Sequence, residues 1–317
     1  MIVIGFFFLI KGADFLVEGA SSIAKKLEVN ELVIGLTIVA LGTSAPELVV
    51  NIISAGKGHD DVVFGNIIGS NIFNLFLILG VSGLIYPLSV RGNTVWREIP
   101  FSLAISLFLF FLINDQLFWG TGYNRSGTLD GFILLFLFML FIMYVFFNLR
   151  KDKDKNELLD DHEIKIMSLK KTILLIAGGI LALAIGGNLV VTNAVNIAQR
   201  FDVSEKLIGL TIISAGTSLP ELATTIIAAI KKKSDIAVGN VLGSNILNIT
   251  LILGVSSLIR PLEYNTILNT DMYVLFGGTL LLFFFMFTLH TKKLDRWEAI
   301  IFVIGFVGYI LFLFIRK

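Results

Sequence analysis

ELVIGLTIVALGTSAPEL (31–48) and EKLIGLTIISAGTSLPEL (205–222) are one segment written twice. Sliding the chain by 174 residues, without gaps, lays the first on the second. The same shift carries GNIIGSNIFNLFLILGVSGLIYPL (65–88) onto GNVLGSNILNITLILGVSSLIRPL (239–262). Over 31–88, 34 of 58 positions are identical. Shared hydrophobicity alone cannot do this, because Gly, Thr, Ser, Pro, Glu and Asn match as well. Self-similarity at a fixed offset marks a duplicated structural unit.

Outward from these segments the chain is apolar. Hydrophobic types make up 56% and charged types 15% of its 317 residues, and the mean hydropathy is +0.87. A soluble surface needs more charge than this. A bilayer core of about 30 Å needs roughly 20 apolar residues per helix, and 99–113, 131–147, 172–191, 272–289 and 297–315 meet or approach that length. The net charge of +1 gives no electrostatic case for nucleic acid, and the absence of cysteine excludes disulfides and thiolate metal sites. Residues 1–26 read as a retained membrane helix, since no basic stretch precedes the apolar run and Lys11, Asp14 and Glu18 follow it.

Apolar runs and their punctuation predict helices near 2–24, 31–56, 61–84, 97–113 and 127–148, then 170–199, 205–230, 235–258, 271–290 and 295–315. The expected fold class is an all-α membrane protein, with ten transmembrane helices as two inverted five-helix repeats. The halves are 1–149 and 170–317. The charged stretch 150–169 is a cytoplasmic linker. An odd helix number per half forces the second half to insert upside down, the inverted-repeat plan of secondary transporters. With the N-terminus outside, the inside loops hold 17 Lys and Arg and the outside segments seven, which favours both termini outside. Asp60, Asp61 and Asp235 fall at helix starts and suit the helix dipole. His59, His162 and His290 fall in loops or at ends, as solvated surface.

Each duplicated segment breaks its own helix. Pro46 and Pro220 have no N–H for the carbonyl four residues back, that of Gly42 or Gly216. The residue before a proline is pushed away from helical dihedrals. Thr43, Ser44 and Glu47, and Thr217, Ser218 and Glu221, therefore surround free backbone oxygens. Such backbone is tolerated at membrane depth only inside protein or along a cavity. A carboxylate at the midplane costs about 2.5–3.5 kcal/mol, and Glu47 and Glu221, at equivalent positions of an inverted duplication, should converge. Two close carboxylates repel, and a divalent cation, or several monovalent ones, relieves this. Oxygen donors alone argue for Ca2+, Mg2+ or Na+ over zinc or copper. Asn66, Ser70 and Asn74 recur every four residues on one helix face, matched by Asn240, Ser244 and Asn248. Gly65 and Gly69, like Gly239 and Gly243, suit close helix packing. The polar stripe has a second reading as interhelical hydrogen-bond glue. Asp14 and Glu18 have no acidic partner in the second copy: they line an access path or face water near a helix end.

The paired GTSxPE and GNxxGSNIxN segments resemble the alpha repeats of the Ca2+:cation antiporter superfamily, in its sodium/calcium exchanger branch of prokaryotic type. The resemblance implies ten helices around four central ion subsites, with Glu47 and Glu221 binding both Ca2+ and Na+. It implies backbone carbonyls from Thr43 and Thr217 and hydroxyls from Ser44 and Ser218. Ser70 and Ser244 would lie beside flanking Na+ subsites completed by the carbonyls of Ala40 and Ser214, and Asn74 would line the centre. Several relatives carry Asp where this chain has Asn248, so this core holds two carboxylates, which match one Ca2+; the number of Na+ per cycle stays open, and the case for K+ weakens. The implied mechanism is alternating access in a monomer of the plasma membrane, with 2–24 and 170–199 moving against the other eight helices. It needs no cofactor and no covalent chemistry, so the chain is not expected to be an enzyme. An H+/Ca2+ exchanger and, from another class, a cation channel or a non-transporting membrane scaffold are the alternatives.

Overall fold

A computed structural model describes all residues except 91, 93, 121, 152–166, 201–213, 289–290 and 317. The described residues form helices α1 (Ile2–Leu27), α2 (Glu31–Thr43), α3 (Ala45–Lys57), α4 (Asp60–Ile85), α5 (Thr94–Ile113), α6 (Thr128–Lys151) and α7 (Leu169–Arg200). Beyond residues 201–213 come α8 (Ser214–Thr217), α9 (Leu219–Ile230), α10 (Ser234–Ile259), α11 (Asn269–Phe285) and α12 (Arg296–Ile315). Seven of these spans are long and apolar enough to cross a membrane, and α2 with α3 makes an eighth if the bent pair is one span. The chain is an all-α membrane protein. α1 is equally long but carries Lys11, Asp14 and Glu18. The expected helix 205–230 is described only from Ser214 onward. Residues 152–166 of the charged linker, His162 among them, and His290 lie outside the described residues. A short helix, Asp115–Trp119, lies outside the predicted elements.

Burial sorts the helices. α4 and α10, which carry the second duplicated segment, are largely enclosed by the others. α12 instead turns Ile304, Val307, Leu311 and Phe314 outward. An apolar stripe at helical spacing on an outer surface is what lipid requires. All three tryptophans are exposed near helix ends, Trp96 and Trp297 at the starts of α5 and α12 and Trp119 beyond the end of α5. That is where an amphipathic ring meets the membrane interface.

Helix ends gather on two faces. On one, Lys233 pairs with Glu31 at 3.0 Å, and β1 (Leu88–Ser89) pairs antiparallel with β4 (Lys293–Leu294). On the other, Arg260 pairs with Asp60, and β2 (Arg125–Ser126) pairs with β3 (Leu262–Glu263). There too Asn269 Nδ2 donates to Asn114 Oδ1 at 2.9 Å, and Arg316 meets Asp271 at 2.9 Å. Leu88 and Leu262 are equivalent under the 174-residue shift, and each pairs across to the other half. The Asp60 and Asp235 side chains stand in first helical turns, as expected.

α1 and α7 run antiparallel in backbone contact. A Cβ on Gly5 would come 2.9 Å from the Gly186 carbonyl, and one on Gly12 would come 2.8 Å from the Gly179 carbonyl. Gly35 and Gly239 similarly bring α2 onto α10, their added Cβ atoms 3.1 Å from each other's Cα. Asp14 and Glu18 face neither path nor water alone: the Lys231 ammonium pairs with Asp14 and, at 3.3 Å, with Glu18. All three side chains are about a third exposed or more, so this tether is worth at most about 1 kcal/mol. The glycine contact decides the α1–α7 pairing. Gly12→Ala should force the two backbones apart and cost about 1–3 kcal/mol, seen as a lower melting temperature in detergent. Gly178→Ala, where nothing stands within 4 Å, should leave the melt unchanged or raise it.

Candidate functional site

The helices break beside the prolines, one residue earlier than expected: Ser44 and Ser218 leave helical geometry, while Ala45 and Leu219, directly before the prolines, are already helical. α2 ends where the Ser44 N–H donates to the Ala40 carbonyl at 2.9 Å, and α3 begins where the Leu48 N–H donates to the Ser44 carbonyl at 3.1 Å. The axis bends by 48° at the break. Pro46 sits in the first turn of α3 and Pro220 in that of α9, where a missing N–H costs nothing. Ser44 holds φ −82°, ψ 7°, and Ser218 holds φ −87°, ψ 7°. Both lie in the sparsely populated bridge region between helix and strand. One sequence written twice has produced one break twice.

The two breaks then exchange partners. Ser44 Oγ donates to Glu221 Oε1 at 2.8 Å, and Ser218 Oγ donates to Glu47 Oε1 at 3.0 Å. Ser44 Oγ lies 2.9 Å from Ser244 Oγ, and Ser218 Oγ lies 3.1 Å from Ser70 Oγ. Thr43 Oγ1 donates to Asn240 Oδ1 at 3.0 Å, and Thr217 Oγ1 donates to Asn66 Oδ1 at 3.3 Å. Every one of these bonds joins one half of the chain to the other. Glu47 and Glu221 are 2% and 1% exposed, so each carboxylate is buried and held by the opposite copy. The Ala40 carbonyl also lies 3.3 Å from Thr43 Oγ1. Ser214 opens α8.

Asn74 and Asn248 lie one turn beyond Ser70 and Ser244 on the same faces of α4 and α10. Wide π-helical turns, Phe73–Ile78 and Asn248–Leu253, begin there; such turns are frequent at functional sites. Asn71 and Asn245 were not singled out from sequence, yet they hold these two residues. Asn74 Nδ2 donates to Asn245 Oδ1 at 3.0 Å, and Asn248 Nδ2 donates to Asn71 Oδ1 at 2.9 Å. The signal was present, since both belong to the duplicated GSNIxN. They sit one position off the four-residue stripe, which hid them.

Among the buried oxygens of the described residues that have no hydrogen-bond partner, four stand at equivalent positions of the two duplicated segments: Glu47 Oε2, Glu221 Oε2, Asn74 Oδ1 and Asn248 Oδ1. They form two equivalent pairs under the 174-residue shift. Each orphaned neutral acceptor costs about 1–3 kcal/mol, and a charged one more. Hard oxygens with no donor to spare fit a hard cation as cargo. The copies differ nearby. Asn240 Nδ2 donates to Thr225 Oγ1 at 3.0 Å, whereas at the equivalent positions Asn51 Nδ2 turns to the Glu47 carbonyl at 2.7 Å and Asn66 Nδ2 has no partner.

Comparison with known proteins meets this geometry. The sodium/calcium exchanger protein family profile matches residues 1–147 and 171–315. The chain belongs to the sodium/calcium exchanger family. It is 31% identical to the sodium/calcium exchanger MaX1 of Methanosarcina acetivorans, over 99% of this chain and 97% of that one. It is 30% identical to the inner membrane protein YrbG of Escherichia coli, over 99% and 96%. The solved structure of the sodium-calcium exchanger NCX_Mj soaked with 2.5 mM Na+ and 10 mM Sr2+ superposes with a TM-score of 0.82 at 31% identity, covering 98% of this chain and 96% of that one. Family membership carries the coarse activity, exchange of Ca2+ against another cation across a membrane. Ser44→Ala and Ser218→Ala each strip one carboxylate of a hydroxyl donor, a bond worth about 1.5–3 kcal/mol to a charged group. Because the geometry is reciprocal, both should lower the melting temperature of the ion-free protein by similar amounts; widely different shifts would contradict the exchange of partners.

Proposed function

We propose that this protein is a secondary-active Na+/Ca2+ antiporter in which Ca2+ and Na+ compete for one central site. The observation that carries the reading is the set of four partnerless oxygens, two carboxylate and two amide, contributed equally by the two copies. Two negative charges match one Ca2+ or two Na+. Ca2+ takes 6–8 oxygens, so the four are joined by water or by nearby donors such as the Ser44, Ser218, Ser70 and Ser244 hydroxyls and the backbone carbonyls of Thr43, Thr217, Ala40 and Ser214. Competition for the same two carboxylates couples the fluxes without any chemical step. A site that holds one load or the other must reach each side in turn, which is alternating access.

The membrane plan belongs to the same reading. Counting α1 as one crossing, α2 with α3 as one, and α8 with α9 as one gives ten, in two inverted units joined by the cytoplasmic segment 150–169. Helix ends that alternate between two faces support this count, as does the antiparallel contact of α1 with α7. Both termini then lie outside, and the protein works as a monomer in the plasma membrane. α1 and α7, packed through glycine, are the pair that moves.

Reconstituted vesicles test the counter-ion. An imposed Na+ gradient should drive Ca2+ uptake. If only a pH gradient drives it, the protein is an H+/Ca2+ exchanger; conductance without counter-flux would make it a channel. Glu47→Gln and Glu221→Gln should each abolish exchange while the protein still inserts, and retained Ca2+ flux in either would remove the site.

A further inference from the structure

The amide oxygens of Asn74 and Asn248 do not choose their own direction. Asn71 Nδ2 donates to the main-chain carbonyl of Asn245 at 3.2 Å. A carbonyl only accepts, so that end of the Asn71 amide must be nitrogen and the other end oxygen. Asn71 Oδ1 in turn only accepts, so the end of Asn248 that meets it, at 2.9 Å, must be Nδ2. The remaining end of Asn248 is then Oδ1, one of the four partnerless oxygens. The same chain runs in the other direction. Asn245 Nδ2 donates to the main-chain carbonyl of Asn71 at 3.3 Å, Asn74 Nδ2 donates to Asn245 Oδ1 at 3.0 Å, and Asn74 Oδ1 is left over. Two backbone carbonyls, one from each copy, thus fix the polarity of two amides two links away.

We infer that Asn71 and Asn245 are positioning residues that keep the Asn248 and Asn74 amides oxygen-inward and thereby set the Ca2+ affinity of the site. The terminal torsion of asparagine is broad and two-fold, so an unbraced amide can turn over. A reversed Asn248 or Asn74 would present N–H groups among carboxylates. Those N–H groups would satisfy a carboxylate internally and place positive partial charge where the cation belongs. With Asp at 248 or 74 the two ends would be identical, there would be no polarity to fix, and the brace oxygen would face an acceptor it cannot bond, so removing the brace there could not weaken Ca2+ binding through orientation. Because this chain has asparagine at both positions, it depends on the brace twice.

The inference rests on the carboxylate site proposed above, and its test is separable from that reading. Ca2+ binding to the purified full-length protein, Na+-free in detergent, is measured by calorimetry. Asn71→Ala and Asn245→Ala should each weaken Ca2+ binding by about 10- to 100-fold, the usual effect of losing a partner that orients a metal ligand. The decisive pattern is crossed. Asn71→Ala should lose its effect in an Asn248→Asp background and keep it in an Asn74→Asp background. Asn245→Ala should do the reverse. A packing role alone would give equal losses in both backgrounds and would overturn the inference. Where an alanine variant does not fold, threonine, close to asparagine in volume but too short to hold both ends of the brace, takes its place in the same cycle. If Glu47→Gln retains Ca2+ exchange, the site itself is wrong; if Glu47→Gln abolishes exchange and the crossed pattern is missing, only the brace is wrong.

Discussion

A carboxylate sunk in the interior of a membrane protein needs either a cation or hydrogen-bond donors, and neither can come from lipid. Here Glu47 and Glu221 find their hydroxyl donors in each other's helix break, Ser218 for one and Ser44 for the other. One oxygen of each carboxylate is thereby tied to protein and the other left over. On the proposed function, this half-satisfied state is the condition for taking up an ion. Full satisfaction would leave no reason to take up an ion, and none would make the ion-free state too costly to visit. The broken helices, the enclosed positions of α4 and α10 and the glycine contacts between them all serve to bring these few atoms together.

The fold divides by strength of contact. The ion pairs at helix ends are partly exposed and individually weak. The contacts that cannot be loosened without cost are those where backbone touches backbone, at Gly12 with Gly179 and at Gly35 with Gly239. These contacts have different neighbours. Gly35 and Gly239 tie a broken helix to the core helix behind it, while the α1–α7 contact joins two helices that each also turn apolar side chains outward, Phe7 and Ile10 on one and Leu174 and Leu181 on the other.

Much of this was legible in the sequence because proline, glycine and buried acid leave marks that no apolar background produces. The break before Pro46, the convergence of two glutamates and the enclosure of the second segment follow from residue type and duplication alone. The brace did not follow. A four-residue stripe picks out Ser70 and Asn74 and skips Asn71, which lies to one side of that face. What makes Asn71 matter is a main-chain carbonyl in the other half, and no pattern of side chains announces where a carbonyl points. The ion pairing of Asp14 and Glu18 was hidden for a similar reason: their partner, Lys231, is more than 200 residues away, and the positions equivalent to Asp14 and Glu18 are Asn188 and Thr192.

The hydrogen bonds at the centre are isologous in the sense used for two-fold dimers: where one residue bonds another across the halves, their two counterparts bond each other as well. A subunit interface of that kind normally carries every substitution twice. Fused in one chain, the same interface lets a single change act on one side only, as Asn51 and Thr225 already show by satisfying their neighbours differently. The two ends of the molecule can therefore be tuned apart, one asparagine or threonine at a time, while the shared centre obliges both copies of the motif to stay alike.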